Sequence, residues 1–316
     1  MMDILCAAIA AKNSILRGSR MRLLSYSMPR DWNYFLFGDS HIGAALRHDK
    51  GFAQMVDMMN SPYEGLSAKF NFGTDHGDII EAITVDDVRW SEFDTREATV
   101  TSQMAMAVRE YDPIKSKILC MLDGNHPWKL HKFSPITHSI CKELGVSFGT
   151  WTAKLTFRHK DKLQFKHYGT HGNGTIRSIA DSARRKDFGM QMSLQKKLRD
   201  MAGDCLLGSM GHTHKVIVSR PLEELYLTDN GKKIEHHYTH PQNAKYISPD
   251  LRWYVNTGGF LKIYSDTVVE DDDVPIEKTK IGSGYAERAM YSPQELGFCV
   301  GLIRDNQLKD IKEVFL

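Results

Sequence analysis

Five short clusters of metal-ligand-type residues occur along this chain, and each of them directly follows a short apolar run. In open α/β sheets, binding sites form beyond the carboxyl ends of the strands, where distant parts of the chain meet. The glycine in each cluster lets the backbone turn sharply as it leaves the strand. The clusters are Gly38-Asp39-Ser40-His41, Gly77-Asp78, Gly124-Asn125-His126, Thr170-His171-Gly172 and Gly211-His212-Thr213-His214. The pattern predicts a sheet whose strand ends build one common site.

Apolar runs and helical periodicities alternate through the first half of the chain, whereas the second half is richer in strand patterns. Strands are predicted over 34–38, 69–73, 117–122, 151–158, 163–168, 214–219, 234–239, 252–256 and 260–264, with one last apolar stretch at 296–304. Helices are predicted over 51–60, 95–110, 131–145 and 176–202, the third of them ending at Gly145. This order favours a mixed α/β sandwich with helices on the outside.

The chain has 316 residues, of which 41% are hydrophobic and 25% charged, an ordinary globular composition. Because there is no internal repeat or low-complexity linker, we predict an N-terminal arm or helix over 1–30 and a single domain over 31–316. The apolar run at 4–11 is far shorter than the ~18 residues of a membrane span, so no membrane partner is expected. Five scattered cysteines argue against a disulfide framework and fit a cytoplasmic protein.

The spacing of the clusters predicts metal chelation. On an extended chain the side-chain period is two, so Asp39 and His41 would face the same side, as would His212 and His214. Carboxylate oxygen, amide oxygen and imidazole nitrogen are ligands that suit Mn, Fe, Zn or Ni. Carboxylates are too few for an all-oxygen calcium site, and no thiolate joins the pattern. A carboxylate between two ions is the expected bridge in a two-metal hydrolytic centre.

In this order, D-x-H, GD, GNH, a lone His after a strand and GHxH resemble the calcineurin-like metallophosphoesterase family. The similarity runs from about Tyr34 to Tyr264, and Val255-Asn256-Thr257-Gly258-Gly259 is similar to the strand and turn after GHxH in that family. The segments GDIIEAI (77–83) and YAER (285–288), the latter followed by P-x-E-L-G, are similar to bacteriophage and prophage members. The resemblance implies two mixed β-sheets packed as a sandwich flanked by helices, with a dinuclear site at one edge.

The resemblance also implies a role for each ligand-type residue. The first ion would be bound by Asp39, His41 and His214, the second by Asn125, His171 and His212, and Asp78 would bridge both ions. His126 would bind no metal but would hydrogen-bond the substrate phosphate and assist the leaving group. A hydroxide held by the two divalent ions, with manganese the expected metal, would attack phosphorus.

The implied activity is hydrolysis of a phosphate ester, and we expect a phosphodiesterase acting on nucleic acid or nucleotides. The implied setting is phage nucleic-acid metabolism in the host cytoplasm. Two alternatives stay open, namely a phosphomonoesterase for a small molecule or phosphoprotein, and an inactive scaffold of the same fold. No feature of the sequence specifies an oligomeric state, and a net charge of +2 neither demands nor excludes an anionic partner.

Three positions depart from the family pattern. Glu81 stands where the second motif usually ends in Asp, and nearby Asp75 is an alternative bridging ligand to Asp78. Pro127 follows the GNH motif in place of an acidic residue. The Arg that follows the second motif in Ser/Thr protein phosphatases is absent, with Ala82 in that region, which lowers the expectation of a phosphoprotein substrate.

The segment 175–202 is basic and is predicted to form a helical insertion. Its candidate substrate-binding residues are Arg177, Arg184 and Arg185, since backbone phosphates are gripped by Lys and Arg side chains. The alternative is a solvated helix face without a ligand. Three further histidines, at positions 236, 237 and 240, lie outside the pattern and are expected on the surface of a hairpin.

Overall fold

The computed structural model describes residues 21–90, 95–240, 244–264 and 290–316. Its strands are β1 (Arg22–Ser27), β2 (Trp32–Phe37), β3 (Asn71–Asp75), β4 (Ile118–Met121), β5 (Thr152–His159), β6 (Lys162–Thr170), β7 (Leu207–Met210), β8 (Val216–Ser219), β9 (Leu225–Asp229), β10 (Ile234–Tyr238), β11 (Trp253–Thr257), β12 (Gly297–Arg304) and β13 (Gln307–Phe315). Its α-helices are α1 (Asp49–Met59), α2 (Val100–Tyr111), α3 (Asn125–Trp128), α4 (Ile136–Leu144) and α5 (Ala183–Leu198).

The strands form two mixed sheets and a separate hairpin. The six-stranded sheet has the order β1-β5-β6-β7-β11-β8, the five-stranded sheet has the order β13-β12-β2-β3-β4, and β9 pairs with β10. Strands β2, β3 and β4 run parallel to one another, as do β6, β7 and β11. Because parallel neighbours end at the same edge of a sheet, the segments that follow these strands emerge side by side.

A layer of buried aromatic and aliphatic side chains lies between the two sheets. The fully buried Trp32 ring of β2 has its centroid 5.1 Å from that of Phe157 on β5 and 6.1 Å from that of Phe165 on β6. These rings come from different sheets, so the two sheets pack face to face. Burial of each such large apolar side chain contributes roughly 1.5–3 kcal/mol to folding.

Helices cover the outer faces of both sheets. Met55 of α1, Ala107 of α2 and Ile140 of α4 join one buried cluster with the five-stranded sheet. Leu194 of α5 joins another cluster with Tyr254 of the six-stranded sheet. The layers therefore follow the order helix, sheet, sheet, helix, and the predicted mixed α/β sandwich with outer helices is confirmed.

Several predicted element boundaries differ from the structure. Residues 22–27, expected in the N-terminal arm, form β1 and pair with β5, whereas residues 1–20 lie outside the described residues. Residues 260–264 form no strand, since the backbone turns at the two preceding glycines and only isolated bridges follow. The helix predicted over 176–202 is confined to Ala183–Leu198.

The other strand predictions are confirmed to within a few residues. The helix predicted over 131–145 begins only at Ile136, directly after Pro135, and ends as predicted at Gly145, whose φ of 73° is the left-handed conformation that favours glycine. The YAER segment at 285–288 lies outside the described residues. No helix in the described ranges combines the length and the apolar character that crossing a membrane requires.

An ion-pair cluster joins two strands of the six-stranded sheet to the segment that precedes β7. The Lys154 and Lys166 ammonium groups each donate a hydrogen bond to the half-buried Asp204 carboxylate. Burial alone would raise the pKa of Asp204, but the hydrogen bonds from the two lysines lower it to about 2. This carboxylate is therefore ionised throughout the neutral and mildly acidic range.

Candidate metal centre

The five polar clusters lie where strands of both sheets end, and together they build one site. Asp39 and His41 follow β2, Asp78 follows β3, Asn125 and His126 follow β4, His171 follows β6, and His212 and His214 follow β7. Backbone hydrogen bonds join neighbouring loops, with Asp39 N donating to Gly77 O at 2.8 Å and His41 N donating to Asp78 O at 2.9 Å. The predicted ligands thus meet at one edge of the sandwich.

Five of these residues adopt left-handed backbone conformations. Their φ angles are 51° at Asp39, 45° at His41, 50° at Asp78, 70° at His212 and 54° at His214. The prediction that the D-x-H and H-x-H pairs project from extended chain is therefore wrong, because tight turns aim these side chains. Such conformations cost of order 1–3 kcal/mol per residue, and they cluster at functional sites.

One group of ligand atoms combines Asp39, His41 and His214. The Asp39 Oδ1 atom lies 3.6 Å from His214 Nε2 and 3.9 Å from His41 Nε2, and the two imidazole nitrogens are 3.3 Å apart. Asp39 Oδ1 is buried without a hydrogen-bond partner among the described residues. A buried carboxylate oxygen without a donor is costly, and a cation at this point would satisfy it. The residues therefore fit a metal ion.

A second group combines Asp78, His171 and His212, with the side-chain amide of Asn125 beside it. His171 Nε2 lies 3.3 Å from Asp78 Oδ2 and 2.9 Å from Asn125 Oδ1. His212 Nδ1 lies 2.7 Å from the same amide oxygen. Imidazole, amide and carboxylate atoms of this set also match the ligands of a transition-metal ion.

Asp78, and not Asp75, faces both groups. Asp78 Oδ2 lies 3.3 Å from His171 Nε2 in one group and 4.0 Å from His41 Nε2 in the other. Asp75 is buried elsewhere, where it accepts hydrogen bonds from the Tyr111 hydroxyl at 2.6 Å and the Gly77 amide at 2.8 Å. The geometry therefore favours Asp78 for the shared position and leaves Asp75 as support for the loop.

Hydrogen bonds at the far side of two imidazoles orient them. His41 Nδ1 lies 2.6 Å from Glu81 Oε2, and His171 Nδ1 lies 2.7 Å from the backbone oxygen of His76. In both rings Nδ1 is therefore occupied and Nε2 is directed at the ligand group. Such outer partners set the tautomer and raise the basicity of the ligating nitrogen. Glu81 has this role for His41.

The electrostatic environment keeps several ligands in the protonation state that binds metal. Burial, and next the charge of His171, lower the pKa of His212 to about 4, and burial holds the pKa of His214 well below its usual value. Burial alone would raise the pKa of Asp78, but His171 holds it well below the usual range. Neutral imidazole and ionised carboxylate are the ligating forms.

Three ligand-type residues are shifted the other way. Burial raises the pKa of Asp39 to about 7. Burial alone would lower the pKa of His41, but the charge of Glu81 raises it. The third is His171. Burial alone would lower its pKa, but the charge of Asp78 raises it to about 9. His171 must therefore lose a proton before its Nε2 can bind a cation, and metal binding here competes with protonation.

His126 is held between a carbonyl and a guanidinium group. Its Nδ1 donates to the Glu81 backbone oxygen at 2.6 Å, and its Nε2 accepts from Arg89 Nη1 at 2.9 Å. Arg89 is fixed in turn by Asp87, which accepts from its Nε at 3.1 Å and its Nη2 at 3.0 Å. With both ring nitrogens engaged, His126 has no free lone pair for a metal ion, although it lies beside His41 and Asp78.

A cleft of about 1030 Å³ opens over the ligand groups and His126. Of the three predicted substrate-binding arginines, Arg177 lines this cleft, whereas Arg184 and Arg185 do not. On α5, Ala183, Lys186 and Met190 are the residues that line the cleft. Positions three and seven residues apart share one helix face, so the two positions after Ala183 point away from it. Arg184 and Arg185 therefore lie outside the lining of this cleft, and their role in substrate binding stays a prediction.

Sequence reasoning missed three cations that line the cleft, namely Arg89, Lys215 and Lys262. Lys186 belongs to the basic segment 175–202 but is not among its three substrate-binding candidates. Lys215 directly follows His214, and Lys186 shares the helix face of Ala183, so both had a usable signal in the sequence. Arg89 had none, since its position depends on the irregular segment that brings it to His126. The histidines at 236 and 237 lie on the separate β9–β10 hairpin and the one at 240 follows it, as predicted.

Comparison with protein-family models gives no match for this chain, and comparison with the curated proteins gives none either. The structure itself shows buried His and Asp groups whose atoms lie close enough together to hold a metal ion.

Proposed function

We propose that this chain is a metal-dependent phosphoesterase that holds two divalent ions and cleaves phosphodiesters of nucleic acid or nucleotides. The observation that carries the proposal is the pair of adjacent ligand groups at the base of a cleft, with Asp78 Oδ2 3.3 Å from His171 Nε2 in its own group and 4.0 Å from His41 Nε2 in the other. The order of the clusters and the two face-to-face sheets also support a calcineurin-like fold. The bacteriophage setting stays a prediction.

The residues around the site suggest separate roles in phosphate binding and proton transfer. When bound, the two cations would supply a nucleophile derived from water at neutral pH and would neutralise charge on the phosphoryl oxygens. Arg89, held rigid by Asp87, would bind a non-bridging phosphate oxygen as a charge-assisted donor. While His126 Nε2 accepts a hydrogen bond from Arg89 it carries no proton, so His126 can act as an acid from that atom only after the guanidinium has moved to the phosphate and Nε2 has taken up a proton from water.

The basic lining of the cleft favours a diester over a phosphoprotein. The cleft is lined by the positively charged side chains of Arg89, Arg177, Lys186 and Lys215. Apart from Glu81 and the ligand groups, Glu295 is the one acidic lining residue within the described residues. A wall of Lys and Arg attracts the repeated charge of a polynucleotide backbone.

Hydrolysis of two small esters tests the proposal. We expect manganese-dependent hydrolysis of bis-p-nitrophenyl phosphate, with p-nitrophenyl phosphate the poorer substrate. The reverse preference would favour a phosphomonoesterase. No hydrolysis of either ester, together with less than one metal ion per chain, would reject the proposal in favour of an inactive scaffold.

Two substitutions separate metal binding from phosphate handling. Asp39→Asn should abolish metal-dependent turnover, because it neutralises a ligand of the first group. His126→Ala should leave the metal content unchanged and slow turnover by about 10²–10⁴-fold. Normal activity of purified Asp39→Asn protein with measured metal content would contradict the assignment.

A further inference from the structure

Three cations gather in the wall of the cleft beside the metal centre. Lys215 directly follows His214, and its ammonium group donates to the Ile176 backbone oxygen at 2.8 Å. Arg177 is the next residue along that loop, and Lys186 lies one helical turn before Met190, whose sulfur is 4.0 Å from the Lys215 ammonium. The loop, helix α5 and the end of the GHTH segment thus each contribute one positive charge.

Within the described part of the chain, none of Arg177, Lys186 and Lys215 forms an ion pair, although Glu295 lines the same cleft. Burial lowers the pKa of Lys215, and the charges of Lys186 and Arg177 lower it further, so the three lie within electrostatic reach of one another. Like charges held together repel, and a bound anion would relieve that repulsion.

The position of this group relative to the metal centre defines what it can bind. His214 Nε2 lies 3.3 Å from His41 Nε2, and the His41 ring lies 4.6 Å from the His126 ring, centroid to centroid. Arg89 is at the His126 end of this row, and Lys215 follows His214 at the other end. A phosphate at the metal centre would therefore have Arg89 on one side and the three cations on the other.

We propose that Arg177, Lys186 and Lys215 form a second phosphate-binding subsite, which selects substrates that carry another phosphate next to the scissile one. The ligand class is a nucleotide chain with phosphates on both sides of a sugar, as opposed to an isolated diester. This inference rests on the proposed function, because that function identifies where the scissile phosphate binds. The subsite itself depends only on the three side chains and the cleft.

Binding of two nucleotides to the manganese-loaded chain tests the subsite without requiring turnover. Thymidine 3′,5′-bisphosphate carries the second phosphate and thymidine 5′-monophosphate lacks it, so the ratio of their Kd values isolates its contribution. We expect the bisphosphate to bind at least about tenfold more tightly, the effect of one new charge contact in a partly screened cleft. Isothermal titration calorimetry measures both constants.

Two double variants provide matched comparisons. Arg177→Gln with Lys186→Gln removes two exposed subsite charges and should reduce the Kd ratio to about two, since Lys215 alone remains. Arg184→Gln with Arg185→Gln removes the same charge from the same segment outside the cleft and should keep the wild-type ratio. A ratio near one in the wild-type protein, or absence of measurable bisphosphate binding, would overturn the subsite. So would a ratio that survives the first variant or falls equally in both.

Hydrolysis of bis-p-nitrophenyl phosphate by the same preparations separates this inference from the proposed function. An inactive protein that keeps the Kd ratio would reject the phosphoesterase and retain the subsite. An active protein with a ratio of one would retain the phosphoesterase and reject the subsite.

Discussion

Gly124 lies at the end of β4, where its Cα faces the loop that carries Asp78. A Cβ atom on Gly124 would lie 2.0 Å from Asp78 Oδ1 and 2.3 Å from the Asp78 backbone nitrogen. Gly124 has φ −132° and ψ 171°, an extended conformation that alanine adopts without strain. Gly124→Ala therefore introduces a steric conflict and nothing else.

The size of that conflict follows from the distances. Ordinary contact with a Cβ begins at 3.4 Å, so Asp78 Oδ1 and the new methyl group must separate by about 1.4 Å (3.4 minus 2.0). Rotation of the carboxylate cannot relieve the clash with the backbone nitrogen, so the loop must move. Metal ligands need to stay within about 0.5 Å of their working geometry. We expect metal affinity to fall about 10–100-fold, as for other losses of ligand support.

Calorimetric titration with manganese and metal analysis of the purified protein measure this loss. Gly145→Ala is the control, because its Cβ would meet nothing within 4 Å while its φ of 73° is unfavourable for alanine. That variant should lose about 1–2 kcal/mol of stability and keep its metal affinity. Folded Gly124→Ala protein that binds manganese within twofold of wild type would refute the reasoning, as would an equal loss of affinity in both variants.

Three further outcomes are expected. Glu81→Gln should weaken metal binding about 10-fold or more by loosening the orientation of His41, and titration of metal against the folded variant would detect it. Arg89→Ala should lower kcat/KM roughly 10²-fold with unchanged metal content, and Arg89→Lys should restore part of it; unchanged kinetics would exclude contact with phosphate. Because the folded pKa of Asp204 is about 2 and its usual value is 3.8, its ion pairs should stabilise the protein above pH 3.8 and lose this effect as the pH falls through 2. Urea unfolding of wild type and Asp204→Asn should therefore differ by about 1 kcal/mol at pH 6 and converge near pH 2.

The sequence was sufficient to predict the mixed α/β sandwich and the meeting of the ligand-type residues. Strand β2, WNYFLF, is buried along its whole length, so its apolar run could be recognised as a strand without knowing which strands pair with it. Parallel order then brings the carboxyl ends together whatever the loop details. For this reason Asp39, Asp78 and His212 could be assigned to one site although they are far apart in the chain.

Features that depend on loop geometry could not be predicted from the sequence. The side chains of Asp39 and His41 converge through left-handed turns. Asp and His adopt that conformation more often than most non-glycine residues, but only a few per cent of non-glycine residues do so, which does not predict it at a given position. Arg89 reaches His126 from an irregular segment, so its contribution needed coordinates. Counting the charges of Arg184 and Arg185 along the chain does not divide them between the faces of α5, so their position outside the cleft lining could not be predicted.

Each ligand group draws on both sheets. In the first group, Asp39 and His41 follow a strand of the five-stranded sheet and His214 follows a strand of the six-stranded sheet. In the second group, Asp78 comes from the five-stranded sheet and His171 and His212 from the six-stranded sheet. A nascent chain therefore has no complete coordination sphere until residue 214 has left the ribosome and the layers have docked. Metal binding would then indicate that the two sheets have packed together. A fragment ending before β7 should bind metal poorly even if its own strands are ordered.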